Sequence, residues 1–137
     1  MERVSSYIVI VARVLLAMVF LLNALGIIDQ SIPAKEMAER GAPANLVPFL
    51  MLAGRAVELF GGLALILGVV PRLAALALFA FLVPATFVSH SFWLAEGTPA
   101  FMSQLINFSK NVGICGGLLF IAGTAKQPAL FTVQRNG

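Results

Sequence analysis

The sequence predicts an all-α integral membrane protein, built as a bundle of four transmembrane helices. Of its 137 residues, 60% are hydrophobic and only 11% are charged. Soluble domains are usually about half apolar and about one quarter charged. The apolar residues also form nearly continuous runs, each long enough to cross a hydrocarbon core of about 30 Å as a helix. We therefore predict a single membrane domain over residues 1–137.

Four apolar runs, separated by short connections, are the predicted spans. They cover residues 7–28, 46–68, 73–93 and 104–123. These runs lack the alternation of barrel strands, and an open sheet cannot satisfy its backbone hydrogen bonds in lipid. Only residues 69–72 separate the second run from the third. Such a short link predicts that these two helices are antiparallel neighbours.

The longest connection, between the first and second spans, predicts a short amphipathic helix at the membrane surface. Pro33 begins a segment rich in Ala, Met and Glu, and Gly41 follows it. Proline suits the first turn of a helix, and glycine suits the position after its end. We expect this helix to lie against one face of the bilayer.

The distribution of Lys and Arg predicts that the N- and C-termini are cytoplasmic. The connections and ends on the side of the N-terminus carry Arg3, Arg72, Lys126 and Arg135. On the other side, Lys35 and Arg40 are outnumbered by Asp29, Glu36, Glu39 and Glu96. Basic residues favour the cytoplasmic side of a membrane protein. The connection with the short helix is therefore predicted to be extracytoplasmic.

Charged residues inside the predicted spans indicate a buried network. Arg13 lies in the first span, Arg55 and Glu58 in the second, and Lys110 in the fourth. Charges are costly in hydrocarbon and usually face the bundle interior with a partner. Counted along ideal helices, Arg13 and Glu58 lie within reach near the midplane, and Arg55 shares a helix face with Glu58. We predict a buried ion-pair network of Arg13, Arg55 and Glu58, with structural and functional roles both open.

Polar residues in the outer half of the bundle predict a ligand pocket. Thr86, His90 and Trp93 are spaced four and three residues apart, which places them on one face of the third helix. Gln104, Asn107, Lys110 and Asn111 lie at similar depth in the fourth span, and Asn23 does so in the first. The candidate ligand-binding residues are Arg55, Glu58, Thr86, His90, Trp93, Asn107, Lys110 and Asn111. The alternatives are interhelical hydrogen bonding for the asparagines and interfacial anchoring for Trp93.

Several kinds of chemistry have little support in the sequence. The single cysteine, Cys115, excludes a disulfide or a two-thiol redox pair within this chain. His90, the single histidine, has no second ligand at metal-binding spacing, so no metal site is predicted. The basic residues are scattered, which argues against nucleic-acid binding. No self-sufficient catalytic motif is present, and whether the chain is part of an enzyme stays open.

Five short motifs follow one another in a characteristic order. They are Arg13-Val14-Leu15-Leu16, Glu58-Leu59-Phe60-Gly61-Gly62, Arg72-Leu73-Ala74-Ala75, His90-Ser91-Phe92-Trp93 and Phe108-Ser109-Lys110-Asn111. In order and spacing, they resemble the DoxX family over nearly the whole chain. The resemblance implies a small four-helix protein of the bacterial inner membrane. It also implies a link to redox systems, since the family is named after a small subunit of a quinone-linked oxidoreductase.

Three functions are compatible with these observations. The first is an accessory subunit of a membrane redox system, with a pocket for a quinone or similar lipophilic ligand and with redox proteins as partners. The second is a structural or assembly protein that docks partners in the lipid bilayer. The third is a small-solute or ion pathway formed by a homo-oligomer, because intramembrane ionisable residues also mark conduits.

Overall fold

Four long helices and one short surface helix make up the fold in the computed structural model, which describes residues 2–29 and 31–125. The helices are α1 (Glu2–Ala24), α2 (Ser31–Glu39), α3 (Val47–Leu67), α4 (Pro71–Ser89) and α5 (Phe101–Thr124), with a 3₁₀ helix at Phe92–Leu94. All but α2 are long and apolar enough to cross a membrane. The predicted four-helix bundle is confirmed. Lys126 and Arg135, used above to predict orientation, lie outside the described residues.

Glycines in the left-handed conformation end two of the spans. Gly26 has φ of 72° and lies two residues after Ala24, the last residue of α1. The N–H of Ile27 there donates to the carbonyl of Leu22 at 3.0 Å. Gly68 has φ of 70° after α3. Such glycine caps close the last turn of a helix, and α1 therefore ends four residues before the predicted boundary at residue 28.

The boundaries of α4 also differ from the prediction. The helix begins at Pro71, two residues earlier than expected, because proline fits the first helical position. It ends at Ser89, and His90 then adopts φ of −132°. Trp93 therefore lies in the 3₁₀ helix, not on α4 as the spacing predicted. The fourth crossing, α5, begins three residues before the predicted start.

The predicted surface helix is confirmed as α2. Asp29 precedes it and accepts two hydrogen bonds from Ser31, from the backbone N–H and from the hydroxyl group, both at 2.9 Å. These hydrogen bonds hold the pKa of Asp29 below its ordinary value. Along the exposed side of α2, Lys35 and Glu39 form an ion pair of 3.7 Å. The helix packs against α3 and α4 at one end of the bundle.

The helices pack in sequence order around the bundle. α1 packs against α3, α3 against α4, and α4 against α5, while α1 and α5 make only slight contact. The tight turn between α3 and α4 makes them antiparallel neighbours, as predicted. We call the end that carries α2 the outer end and the end with the α3–α4 turn the inner end. These terms follow the orientation predicted from charge, which stays a prediction.

The hydrophobic core lies in the inner half of the bundle. Its largest fully buried side chains are Phe20, Leu65, Leu78 and Leu118, one from each long helix. The outer half has few buried side chains, and those of Glu58, Thr86 and Ser91 are polar. Large apolar side chains cover much of the bundle surface, as expected for helices that face lipid. Packing in the inner half is therefore apolar, and the contacts of the outer half involve polar groups.

Candidate functional site

A buried amide–carboxyl contact joins α1 to α3 near the middle of the bundle. Asn23 Nδ2 donates to Glu58 Oε1 at 3.1 Å. The Glu58 residue is only 5% exposed. Glycines of α3 face both neighbouring helices: Gly54 and Gly61 face α4, and Gly62 faces α1. The Glu58 side chain therefore lies between α1 and α4. A buried polar group needs such a partner, since an unmade hydrogen bond costs about 1–3 kcal/mol.

Arg55 forms a second link between the same two helices. Its Nε and Nη2 atoms donate to the carbonyl oxygen of Ala24 at 3.2 and 3.0 Å. Ala24 is the last residue of α1, where carbonyl groups lack intrahelical donors and the helix dipole favours a cation. A side chain at Gly26 would approach the guanidinium, because a Cβ there would lie 3.0 Å from Nη2. Arg55 therefore caps α1.

The ion-pair network predicted for Arg13, Arg55 and Glu58 is not present as direct contacts, although the charge of Arg55 acts on Glu58 through space. In the described part of the chain, neither arginine forms an ion pair with Glu58. Arg13 instead lies against Gly68, since a Cβ at that glycine would be 2.7 Å from Arg13 Nη1. Gly68 follows Glu58 by ten residues, or about 15 Å of helix. The depth calculation failed because α1 begins at Glu2 and extends past the α3–α4 turn.

Thr86 and Asn111 join α4 to α5. Asn111 Nδ2 donates to Thr86 Oγ1 at 3.0 Å, and this hydroxyl group donates to the carbonyl of Leu82 at 2.7 Å. Thr86 is 4% exposed. Its hydroxyl is thus occupied both as donor and as acceptor by groups of the chain itself. This pair matches the interhelical hydrogen bonding that the sequence left as an alternative to ligand binding.

His90 and Gln104 connect the outer ends of α4 and α5. His90 Nδ1 lies 3.0 Å from Gln104 Oε1. An amide oxygen only accepts, so the hydrogen of a neutral imidazole belongs on Nδ1. The second ring nitrogen, Nε2, is then an acceptor, and no hydrogen bond to it occurs within the described residues. Because the ring is half-buried and held by Gln104, Nε2 has a fixed direction.

Arg40 reaches from the connection after α2 to the end of α4. Its Nη1 atom donates to the carbonyl of Phe87 at 3.1 Å and to the hydroxyl of Ser91. The Ser91 hydroxyl also donates to Phe87. Sequence reasoning assigned Arg40 only to the charge balance of the loops. One signal could have indicated this contact. Arg40 follows the predicted surface helix, and the carbonyl groups at the end of a helix are free to accept hydrogen bonds from a basic side chain.

Aromatic side chains cluster at the same end of the bundle. Ring centroids lie 5.5 Å apart for Phe87 and Phe108, 5.1 Å for Phe92 and Trp93, and 5.2 Å for Phe92 and Phe108. All three pairs have the edge-to-face geometry that aromatic rings favour. Trp93 remains 43% exposed. Apart from Trp93, this cluster could not be predicted from the sequence, because phenylalanines are frequent throughout the spans.

An apolar groove lies beside the aromatic cluster, between α4 and α5. It encloses about 140 Å³ and is lined by Val83, Thr86, Phe87, Phe108, Val112 and Cys115. Phe87 and Val112 are exposed on its rim. Its one hydroxyl, that of Thr86, is already hydrogen-bonded within the chain. The groove therefore suits an apolar chain or ring that enters from the side of the bundle.

The structure divides the predicted pocket into separate groups. Arg55 and Glu58 contact α1, Thr86 contacts Asn111, and His90 contacts Gln104. Asn107 and Lys110 form no hydrogen bond or ion pair with the described residues, and Lys110 is exposed on α5. The eight candidates are therefore not placed around one shared cavity. Side-chain pairing across helices depends on helix rotation and offset, which the spacing within one helix does not determine.

The exposed position of Lys110 is unusual for a membrane helix. It follows the first residue of α5 by nine positions, or about 14 Å. Gln104, which meets His90 at the outer end, lies six residues or about 9 Å before it. A lysine at the centre of a transmembrane helix costs about 2.5–3.5 kcal/mol on insertion scales. Extension of its stem toward the interface reduces this cost, but a carboxylate partner would remove more of it.

These features define a small multi-pass membrane protein whose outer half is held together by polar contacts between helices. The chain belongs to the DoxX family, whose model matches residues 8–91. It is also similar to the inner membrane protein YqjF of Escherichia coli strain K12, with 31% identity over 136 residues, covering 98% of this chain and 95% of that protein. No solved structure matches the chain. The protein is thus an inner-membrane protein of the DoxX family.

Proposed function

We propose that this protein is an accessory subunit of a membrane redox system and holds a quinone-type lipophile beside His90. The observation that carries the proposal is the contact between His90 Nδ1 and Gln104 Oε1, which leaves Nε2 as an oriented acceptor. A quinol hydroxyl donates to such an acceptor. The apolar groove and the neighbouring aromatic rings suit the rest of the molecule. The family resemblance favours a redox partner.

The role proposed for the chain is binding and orientation, with electron transfer left to the partner. His90 would fix one hydroxyl of the ring, and Phe87 and Phe108 would contact its face. The groove would take the apolar tail, because its walls at Val83 and Val112 are hydrophobic. This site differs from the predicted pocket, since Arg55 and Glu58 are engaged with α1.

Binding can be measured by the fluorescence of Trp93, the single tryptophan of the chain. The purified protein in nanodiscs would be titrated with a short-chain ubiquinone, then with the corresponding quinol and its dimethyl ether as competitors. We expect saturable quenching and stronger competition by the quinol than by the ether, because the ether has no hydroxyl to donate. His90→Phe should abolish the preference for the quinol.

Two matched valine variants provide the control. Val112→Phe fills the groove and should weaken quinone binding. Val11→Phe places the same ring on α1, away from the groove, and should leave binding unchanged. The two valines are almost equally exposed, at 54% for Val112 and 55% for Val11. Quenching that rises linearly without saturation and is the same in both variants would mean that the quinone only dissolves in the lipid. That result contradicts the proposal.

A structural or assembly role is the second candidate. It is favoured by the polar pairs that join neighbouring helices, Asn23 with Glu58 and Thr86 with Asn111. Their donors and acceptors serve the bundle itself, so a protein of this kind would act through its surface. In a deletion strain, the native-gel profile of membrane complexes distinguishes the two roles. If the His90→Phe variant restores the wild-type gel profile, the assembly role is supported. If only the wild-type chain restores this profile, ligand binding is supported.

A further inference from the structure

One face of α5 is open to the lipid through the middle of the helix. It consists of Ser109, Lys110, Gly113, Gly116 and Phe120, all of them exposed. A Cβ added at Gly113 or Gly116 would meet nothing within 4 Å. Gly117, by contrast, lies against Leu16 of α1, with the nearest atom 3.3 Å from such a Cβ. We call the five exposed residues the α5 lipid face. Its glycines do not contact the rest of the bundle, whereas Gly117, outside this face, does.

The α5 lipid face combines small residues with a charge. Small residues at intervals of three and four let a second helix approach closely, which is how transmembrane helices associate. Lys110 lies beside them and has no hydrogen bond or ion pair within the described chain. Intramembrane ionisable residues of this kind normally face a partner. Lys110 thus indicates that the partner helix carries a carboxylate at the same depth in the membrane as the lysine.

A second copy of this chain cannot supply that carboxylate. The sequence has six acidic residues, and Glu58 is the one inside a candidate membrane span. Glu58 is 5% exposed and accepts a hydrogen bond from Asn23. Asp29, Glu36, Glu39 and Glu96 lie in the outer connections. Glu2 is the first residue of α1, before the candidate span that begins at Ser6. Two copies packed face to face would bring Lys110 against Lys110, which is repulsive.

We propose that the α5 lipid face binds a transmembrane helix of a different protein, with an Asp or Glu side chain near the middle of that helix. The inference rests on the proposed role as an accessory subunit and specifies the partner. Lys110 would form an ion pair with this carboxylate. Gly113 and Gly116 would form the surface against which the partner backbone packs.

A designed probe tests the chemistry. A leucine-rich transmembrane peptide with one central Glu, and its Gln counterpart, would be titrated against the full chain in liposomes by energy transfer. We expect at least tenfold tighter binding of the Glu peptide. Lys110→Met should remove this preference, Lys110→Arg should keep it, and Lys35→Met, outside the membrane, should have no effect. Equal binding of the two peptides by the wild-type chain would overturn the proposal.

A steric variant tests the packing independently of charge. Gly113→Leu should weaken binding of both peptides at least tenfold without lowering the thermal unfolding temperature, because no atom lies within 4 Å of the new Cβ. Ala77→Leu introduces the same side chain at an exposed position of α4 and serves as its control. Equal weakening by both variants, or by neither, would contradict the assignment to this face.

Photo-crosslinking in cells separates the inference from the proposed function. A photoreactive residue would replace Ser109 on α5 or Leu73, which is 65% exposed on α4. Adducts at Ser109 with a protein that has an acidic residue in a membrane span, lost in Lys110→Met, support the inference. Adducts with a second copy, or with other proteins only through Leu73, overturn it and leave the accessory role intact. Absence of protein adducts at both positions contradicts both proposals.

Discussion

Glu58 shows how one residue can link two membrane helices without an ion pair. Its carboxyl group is buried and accepts a hydrogen bond from the Asn23 amide, and Arg55 binds the end of α1 at Ala24. Both contacts between α1 and α3 therefore join a hydrogen-bond donor to an acceptor.

At this site, we expect Asn23→Ala to be more damaging than Glu58→Gln. Removal of the amide leaves a buried carboxyl oxygen without its donor and should lower the free energy of unfolding by about 1–3 kcal/mol. Glutamine keeps an oxygen that accepts the same hydrogen bond, so the cost should stay below about 1 kcal/mol. Chemical unfolding in detergent measures both, with the exposed Thr124→Ala as control. Greater loss in Glu58→Gln would contradict the assigned contact.

Arg13 and Glu58 should behave as independent residues. Arg13 lies against Gly68, about 15 Å along α3 from Glu58. The effects of Arg13→Ala and Glu58→Gln on the unfolding free energy should therefore add within about 0.5 kcal/mol. A double-mutant cycle in detergent makes the comparison. Coupling of more than about 1 kcal/mol would restore the ion pair that sequence spacing predicted.

At the scale of helices, glycine permits α3 to pack closely against two neighbours. A Cβ at Gly61 would lie 2.8 Å from Leu78 Cγ on α4, and one at Gly62 would lie 2.9 Å from Leu21 Cδ2 on α1. Both distances are shorter than normal van der Waals contact. Leu78 is fully buried, so it has little freedom to move aside.

Alanine substitutions at two glycines should have opposite effects. Gly61→Ala forces its new methyl group against Leu78 and should destabilise the bundle by about 1–3 kcal/mol. Gly116→Ala meets nothing within 4 Å, and the better helix propensity of alanine should stabilise the isolated protein by up to about 1 kcal/mol. Thermal unfolding in one detergent compares the two variants. Equal unfolding temperatures for the two variants would contradict the close contact between Gly61 of α3 and Leu78 of α4.

The existence of the helices could be predicted from sequence more reliably than their contacts. Length and apolar composition were sufficient for the four spans, because the membrane requires both. The surface helix α2 was indicated instead by Pro33, Gly41 and the helix-forming residues between them. The end of α1 was missed because Gly26 adopts a left-handed conformation within a run that is still apolar. The pairing of Arg13 was missed because the vertical offset between α1 and α3 depends on packing at Ala17, Leu21 and Gly62.

The whole molecule has two unlike halves. The core of the inner half consists of Leu, Phe and Ala side chains, whereas the outer half contains Glu58, Thr86 and Ser91 among its few buried groups. The sequence indicated this polarity difference correctly, because it follows from the order of residues along each helix. It could not indicate that the polar groups pair in separate sets, since that depends on how each helix is rotated.

The predicted orientation can be tested on the complete protein. A fluorescent-protein fusion at the C-terminus should be bright, and an alkaline phosphatase fusion there should be inactive, because basic residues place that end in the cytoplasm. Fusion of each reporter at Gly97, in the connection before α5, should give the reverse. A bright reporter at Gly97 would invert the assignment of inner and outer ends.

The contact of Arg40 with α4 also sets an order for biogenesis. Arg40 is synthesised 47 residues before its acceptor at Phe87, which corresponds to about 2–10 s at ordinary translation rates. During that interval α1 and α3 can enter the bilayer, but α2 has no helix end to bind. Docking of the first connection therefore follows insertion of the third crossing. A nascent chain halted before Phe87 would leave this segment open to proteases, and a longer one would protect it.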